Sequence, residues 1–392
     1  METHEVIVVG ARCAGAATAR LLALQGHDVV LVDRASFPSD TLSTHAISRG
    51  GVVQLRRWGL LDDVLATDAP AVRDLAFHVE GETLNKSVRP KAGVDFLVAP
   101  RRLVLDQILL DAAVAAGVEV RTGIAVTDVL RDPDGRVEGV RGYSAADEPM
   151  VLRADYVVGA DGVRSRIAQA VGAEETQSRP STAATHYTYY AGLDCDRFEF
   201  HLGDGAFAGV FPTNGGEACV WIVAPAMKVY RVRGAQRDVA FSEILSRLAP
   251  ALAPRLAAAT RTAPIRGTTG LPNVVRRPWG PGWALVGDAG YHRDPISGHG
   301  ITDAFRDAEL LARALGGVLR GETSAPTALA AYEATRDELI AEIFDATCRM
   351  AAFPSPDEFT AEHLRAGRAM EHEAETLATL GPVDEIRPRI AA

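Results

Sequence analysis

Residues Glu5 to Arg34, EVIVVGARCAGAATARLLALQGHDVVLVDR, leave the chain few folds to choose from. Val6 to Val9 is a continuous apolar run, as expected for a strand buried on both faces of a parallel sheet, and Val29 to Val32 repeats it. Between them Ala14 to Leu24 has helical composition, so the stretch predicts strand, tight turn, helix and strand. Gly10 and Gly15 stand at the first and last glycine positions of G-x-G-x-x-G, where glycine permits a sharp turn and close helix-to-strand packing. Asp33, ending the second strand, is the acid expected to bind a ribose hydroxyl. Arg12 replaces the middle glycine, so its side chain either points away from a pyrophosphate over the helix N-terminus or pairs with it. Alone this fingerprint is weak, and an ordinary strand-helix-strand turn gives the same pattern.

A chain of 392 residues exceeds one simple core and suits two interleaved domains. Its 41 basic against 51 acidic residues, a net charge of -10, give no electrostatic attraction for nucleic acid or anionic lipid. A small-molecule partner is expected. Cys13, Cys195, Cys219 and Cys348 are scattered without a C-x-x-C pair, which argues against a zinc site or disulfide framework and suits a reducing cytoplasm. The first strand begins within five residues, leaving no room for a signal peptide, and no apolar run reaches membrane-spanning length. A cytoplasmic protein without stable membrane insertion, monomeric or a homodimer, is the expectation.

Further along, a polar loop from Ala35 to His45 precedes a helical pattern over Ile47 to Trp58, and Thr44 and His45 are the loop's best polar candidates for a ligand. Val72 to Val98 alternates around Glu80-Gly81-Glu82, predicting antiparallel strands with one wet face. Arg101 to Ala116 reads as a helix, and Asp132 to Gly135 as a hairpin turn. Tyr156 to Ala160 is a short strand running directly into Asp161-Gly162. From Thr182 to Thr269 aromatic and β-branched strands return, with turns at Gly203-Asp204-Gly205 and Asn214-Gly215-Gly216 and an alanine-rich helix over Leu248 to Thr260. Trp283 to Val286 is another buried strand, ending in Gly287-Asp288. Pro295, Gly298 and Gly300 then lead into a helix to Leu319 whose Ile301, Phe305, Ala308, Leu311, Ala312, Leu315 and Leu319 share one face. Glycines before a helix leave its first N–H groups open to a partial negative charge. The tail from Thr327 reads as helices broken at Pro354, Pro356 and Pro382, either a cap or an oligomer face.

The glycine turn with Asp33, the Asp161-Gly162 turn with Arg164, and Gly287-Asp288 running into Pro-x-x-Gly-x-Gly occur in one order. Together they resemble the class A FAD-dependent monooxygenases of the p-hydroxybenzoate hydroxylase fold, relatives of geranylgeranyl reductases and flavin-dependent halogenases. The resemblance spans roughly residues 4 to 340. It implies an α/β fold in which a Rossmann-like FAD-binding domain of glutathione-reductase type (1–71, 99–181 and 270–325) is interleaved with a mostly antiparallel β-sheet substrate domain (72–98 and 182–269), followed by a C-terminal helical segment (326–392). It further implies that Gly10, Arg12, Cys13, Ala14, Gly15, Asp33, Arg34, Thr44, His45, Arg102, Val126, Asp161, Gly162, Gly287, Asp288, Pro295, Gly298, His299, Gly300 and Ile301 surround FAD. Arg102 belongs to an R-x-x-L-D-x-x-L pattern continued by Leu105, Asp106 and Leu109. His299 stands where the family commonly has glutamine.

The reaction implied is NAD(P)H- and O2-dependent hydroxylation or epoxidation of a small organic substrate, aromatic or polyketide-like, through a flavin C4a-hydroperoxide. NADH or NADPH would bind transiently, since no second dinucleotide fingerprint is present. No metal is expected, because the cofactor carries the redox chemistry. His299 and His45 are the candidates for proton transfer. Tyr187, Tyr189, Phe211 and Pro212 are the candidates for the substrate wall, and Trp221 reads better as core. A C=C reductase is the alternative. Halogenation is disfavoured because the W-x-W-x-I-P signature is absent, and a non-enzymatic FAD-binding module is the remaining rival.

Overall fold

The computed structural model describes residues 2–180, 182–203, 205–229 and 235–382. Asp204, at the centre of one expected turn, and 383–392 of the expected C-terminal segment lie outside them. Strand Thr3–Val9 is central to the first sheet, pairing in parallel with Val29–Asp33 on one side and Pro149–Gly159 on the other. Glu119–Thr122 and Trp283–Leu285 extend it, again in parallel. Val6 to Val8, Val30 to Val32 and Val157 to Val158 are inaccessible to solvent, which is why these runs do not alternate. One face is covered by helices α1 (Cys13–Ala23), α2 (Arg49–Arg57), the short α3 (Leu61–Leu65) and α4 (Arg102–Ala115). The other carries the hairpin Ile124–Arg131/Val137–Ser144 and α5 (Arg166–Val171).

The second sheet gathers Asp74–Val79 and Glu82–Ser87 from one stretch of chain with Ala183–Ala191, Phe198–Gly203, Ala206–Pro212 and Glu217–Pro225 from another. Its pairs are antiparallel except Asp74–Val79 with Phe198–Gly203, where the two stretches meet. A wet face is found at Glu82–Ser87, exposed throughout. The three central strands are instead buried on both sides. After α6 (Ala226–Val229), α7 (Ala235–Leu248) and α8 (Leu252–Ala258) cover the far face, where Val210, Val220 and Ile222 meet Phe241 and Leu245. Tyr187, Tyr189, Phe207, Phe211 and Trp221 point the other way, into a cluster of their own.

Helix α9 (Gly300–Leu319) buries the predicted stripe from Ile301 to Leu315 against α1, with Leu319 half-buried at its end. The tail is a cap. Helices α10 (Ala325–Met350) and α11 (Pro356–Thr379) pack on each other, α10 against α9 and α11 against α2. Pro356 occupies the first turn of α11 and Ser355 closes a capping box with Glu358, so the break at Pro354 and Pro356 is a designed helix start. Phe359 reaches the aromatic cluster of the second sheet. No described helix is long and apolar enough to cross a membrane.

Candidate active site

Three strand ends converge on the start of α1. Gly10 has a φ of +108°, and a Cβ there would lie 2.3 Å from the Ala160 carbonyl oxygen. A Cβ on Gly15 would lie 1.7 Å from the Gly10 oxygen, and one on Gly287 (φ +56°) 2.9 Å from the Ala14 Cβ. The turns after Val9, Gly159 and Leu285 are thereby pressed together at the carboxyl edge of the sheet, where open α/β folds bind ligands. Arg12 is the extended N-cap residue of α1, and no side chain caps the helix. Its first N–H groups are free to receive an anion.

Arg12 itself turns aside. Its guanidinium donates to Asp106 at 2.7 Å and to the Ser39 hydroxyl at 3.0 Å, and lies over the Phe37 ring. Asp106, wholly buried, also accepts from Arg102 at 2.9 Å and 3.1 Å and from the Cys13 thiol at 3.3 Å. The Arg102-x-x-Leu-Asp pattern therefore locks α4 to the glycine turn, and the charge of Asp288 also acts on Arg102. Asp33 accepts from the N–H groups of Ala11 and Ala35, each at 2.7 Å, bracing the same turn from the second strand. Arg34 is exposed beside it, Thr44 is half-buried in the following loop, and Val126 packs into the cluster that contains Val9 and Val32.

Asp161 does not reach outward. Its carboxylate accepts from the Ser165 hydroxyl at 2.5 Å and from the N–H groups of Arg166 at 2.6 Å and Ile167 at 3.2 Å, closing its own turn around Gly162 and opening α5. Burial pushes its pKa up despite these bonds.

A second half of the cleft is built at the start of α9. Pro295–Ser297 forms a 3-10 turn, Gly298 is left-handed at φ +61°, and His299 is the N-cap residue. Gly298 faces Ala46, so the 35–48 loop borders this turn. His299 is buried with both ring nitrogens engaged: Nδ1 lies 2.7 Å from the Ser48 hydroxyl and Nε2 meets the Glu373 carboxylate of α11. Ser48 in turn lies 2.9 Å from the Thr302 hydroxyl. His45, held at φ +67°, directs Nε2 to the Tyr189 hydroxyl and stacks on that ring at 5.5 Å. Its Nδ1 is buried without a hydrogen-bond partner among the described residues. Burial, reinforced by Arg102 and Arg101, holds His45 well below the ordinary histidine pKa, so it is neutral. The Tyr187 hydroxyl donates to the Thr41 carbonyl at 3.2 Å and accepts from the Ser43 N–H at 3.4 Å.

A family model described as an FAD-binding domain matches residues 3–347. The chain belongs to that family. This FAD-binding chain is 26% identical over 353 residues to a digeranylgeranylglycerophospholipid reductase of Methanocella arvoryzae, covering 87% of this chain and 85% of the relative. It is 25% identical over 343 residues to a menaquinone reductase of Mycolicibacterium smegmatis, covering 83% and 80%. Among solved structures, PqsL of Pseudomonas aeruginosa, described as a probable FAD-dependent monooxygenase, superposes with a TM-score of 0.79 at 23% identity, covering 92% of this chain and 99% of that one. The fold is that of the class A flavoproteins, and the chain is an FAD-dependent oxidoreductase.

The residues present fit the cofactor. The family's pyrophosphate needs an uncapped helix start, and α1 has one, behind a glycine turn packed too tightly for a Cβ at Gly10 or Gly15. The orphaned Nδ1 of His45 offers a polar atom where the loop meets Gly298. The expected substrate wall divides. Tyr187, Tyr189 and Phe211 share the face turned toward the flavin domain, whereas Pro212, paired with Ala218, falls on the opposite face because strand side chains alternate. Trp221 lies over Gly209 in the core of the second sheet. Ser48 and Glu373 were not singled out by sequence. Ser48 follows the candidate loop and was within reach of reasoning, but Glu373, 74 residues beyond His299 in a broken helical tail, left no local signal.

Proposed function

We propose that the protein is a monooxygenase that uses NADH or NADPH and O2 to hydroxylate or epoxidise a compact organic substrate, aromatic or polyketide-like. The observation that carries this reading is the cover over the substrate sheet. Phe359 and His363 of α11 pack on Phe207, and His363 also on Phe77 and Phe200, so the aromatic floor away from the flavin cleft is already filled by the protein. The end of that sheet near Tyr187, Tyr189 and His45, where α11 makes no ring contact, is the part this reading assigns to the substrate.

FAD, when bound, supplies electron transfer and oxygen activation. The chain's own residues do the rest. Gly10 to Gly15 and the start of α1 hold the pyrophosphate, Asp33 the ribose and Asp288 the ribityl chain. His45, neutral, accepts a proton or hydrogen bond at its free Nδ1 while Nε2 stays on Tyr189. Tyr187 pins the 41–43 loop against the sheet and excludes water from this end. A reductase of C=C bonds is the second reading, supported by the names of the curated relatives.

Turnover of purified protein with NADH or NADPH, in air and without oxygen, against phenolic, polyketide-like and isoprenoid compounds separates the two. Oxygen-dependent consumption with a product heavier by one oxygen is expected. Anaerobic turnover with a product heavier by two hydrogens would replace this reading with the reductase.

A further inference from the structure

Strand Glu82–Ser87 ends the second sheet with one side unpaired. The Glu80-Gly81 turn joins it to Asp74–Val79 in a register that sets Phe77 opposite Leu84, and no other described strand meets it. The Val88 N–H donates to the Arg73 carbonyl at 2.8 Å, so Arg73 and Val88 are a hydrogen-bonded pair of this antiparallel ladder. Such pairs alternate, and the next ones are therefore Leu75 with Lys86, Phe77 with Leu84 and Val79 with Glu82. The N–H and C=O groups of Thr83, Asn85 and Ser87 are left pointing out of the sheet, along its open edge.

The faces of this strand are as open as its edge. His363 of α11 packs on Phe77, Phe200 and Phe207, so that helix stands over Asp74–Val79 and the strands behind it, while all six residues of Glu82–Ser87 stay exposed. Leu84 shares the α11 side with its opposite number Phe77, and Glu82 and Lys86 share it too, because strand side chains alternate. Leu84 is 64% exposed. An apolar side chain on a bare edge invites pairing with another chain, and an edge lysine ordinarily guards against it. Here the spacing of the charges turns the guard into a partner.

We propose that a second copy of this chain docks on Glu82–Ser87, the two strands running antiparallel about a two-fold axis at Leu84. Thr83, Asn85 and Ser87 carry the outward groups, so they must face one another in the hydrogen-bonded pairs of the seam. With Thr83 opposite Asn85 of the second copy, Glu82 faces Lys86 on both sides of the axis and Leu84 faces Leu84. These are non-hydrogen-bonded pairs, whose Cα atoms approach to about 4.5 Å and whose side chains therefore meet. Slipped registers lose the match. Asn85 opposite itself puts Lys86 on Leu84, Thr83 opposite itself puts Glu82 on Leu84, and Asn85 opposite Ser87 puts Lys86 on Lys86. The favoured register is self-complementary, as a closed dimer requires, and makes one continuous sheet of the two substrate sheets. A single strand pair covers less surface than a permanent dimer needs, so the association is weak and reversible. It holds whichever reaction the cleft performs.

Sedimentation velocity of the purified full-length chain with FAD bound, from about 1 to about 200 µM, reads this association over the range where a small interface forms. The wild type is expected to pass from monomer to dimer as its concentration rises. Lys86→Glu and Glu82→Lys each set like charges opposite one another across the axis, and each should weaken the dimer by about tenfold or more. The double variant, Glu82→Lys with Lys86→Glu, reverses both pairs and should recover the wild-type dissociation constant. Asn85→Pro removes an outward N–H that the hairpin's own ladder does not use, and should leave a folded monomer. The charge variants sit on an exposed strand and remain informative if the proline variant fails to fold. A wild type that stays monomeric throughout, a dimer that neither single charge variant weakens, or a double variant no tighter than the single ones would overturn the proposal.

Discussion

At the start of α1 the guanidinium of Arg12 is drawn 2.7 Å from Asp106, so the anion site is left to backbone amides although its middle position is not glycine. Arg12→Gly is therefore expected to retain FAD while losing about 1.5–3 kcal/mol in urea unfolding, the range for a hydrogen bond to a charged group. Loss of the flavin with unchanged stability would show that Arg12 acts on the pyrophosphate after all. Gly10→Ala should have the opposite outcome. A methyl group 2.3 Å from the Ala160 oxygen on a backbone at φ +108° forces the turn open, and the purified variant is expected to be colourless. Both glycines of this turn were legible in the sequence because the motif is local and its steric reason is carried by the residue type. The direction of Arg12 was not, since it depends on Asp106, 94 residues away.

At the scale of elements, α11 meets parts of the chain that lie from 74 to 327 residues before it. It presents Phe359 to Phe207, with ring centroids 5.1 Å apart, Glu373 to His299, and Leu377 to the close approach of Gly50. Phe359, 2% exposed, makes the apolar part of this contact. Phe359→Ala is expected to destabilise the protein by about 3–5 kcal/mol and to make α11 the first segment cut in limited proteolysis. A loss below about 1 kcal/mol would mean that α11 is held elsewhere. Composition and the prolines marked helices broken near Pro354 and Pro356, but a helical pattern gives no partner, and so a cap and an oligomer face looked alike. The far cover of the second sheet escaped for the same reason: buried-on-both-sides strands such as Glu217–Pro225 identify a covered sheet only once α7 and α8 are seen on it.

Across the whole molecule several histidines are kept neutral. Burial holds His45 well below its ordinary pKa and, with Arg237 nearby, lowers His186 to about 4; burial and Lys86 bring His363 also to about 4. The unfolded chain binds these protons near pH 6.5 and the native state does not, so it is the unfolded state that gains as the pH falls. Their contribution to stability is intact above about pH 6.5 and is lost between there and about pH 4, at about 1.4 kcal/mol per pH unit for each histidine titrating in the unfolded state. The melting temperature should be level from pH 8 to 7 and drop below 6.5, and His186→Phe should flatten that drop. A wild-type curve that rises into acid would contradict this origin. Global organisation, two sheets interleaved in sequence, was legible because three strand-end motifs recur in a fixed order, while the buried ionic network of α9 and α11 was not, because its members share no spacing.

The account stands or falls on the fate of molecular oxygen. Turnover under 18O2 with a converted substrate, followed by mass spectrometry of the product, measures it most directly. One atom of 18O in the product, with the other recovered as water, is the predicted result. A product that gains only hydrogen, formed equally well without oxygen, would contradict it and assign the cleft to reduction.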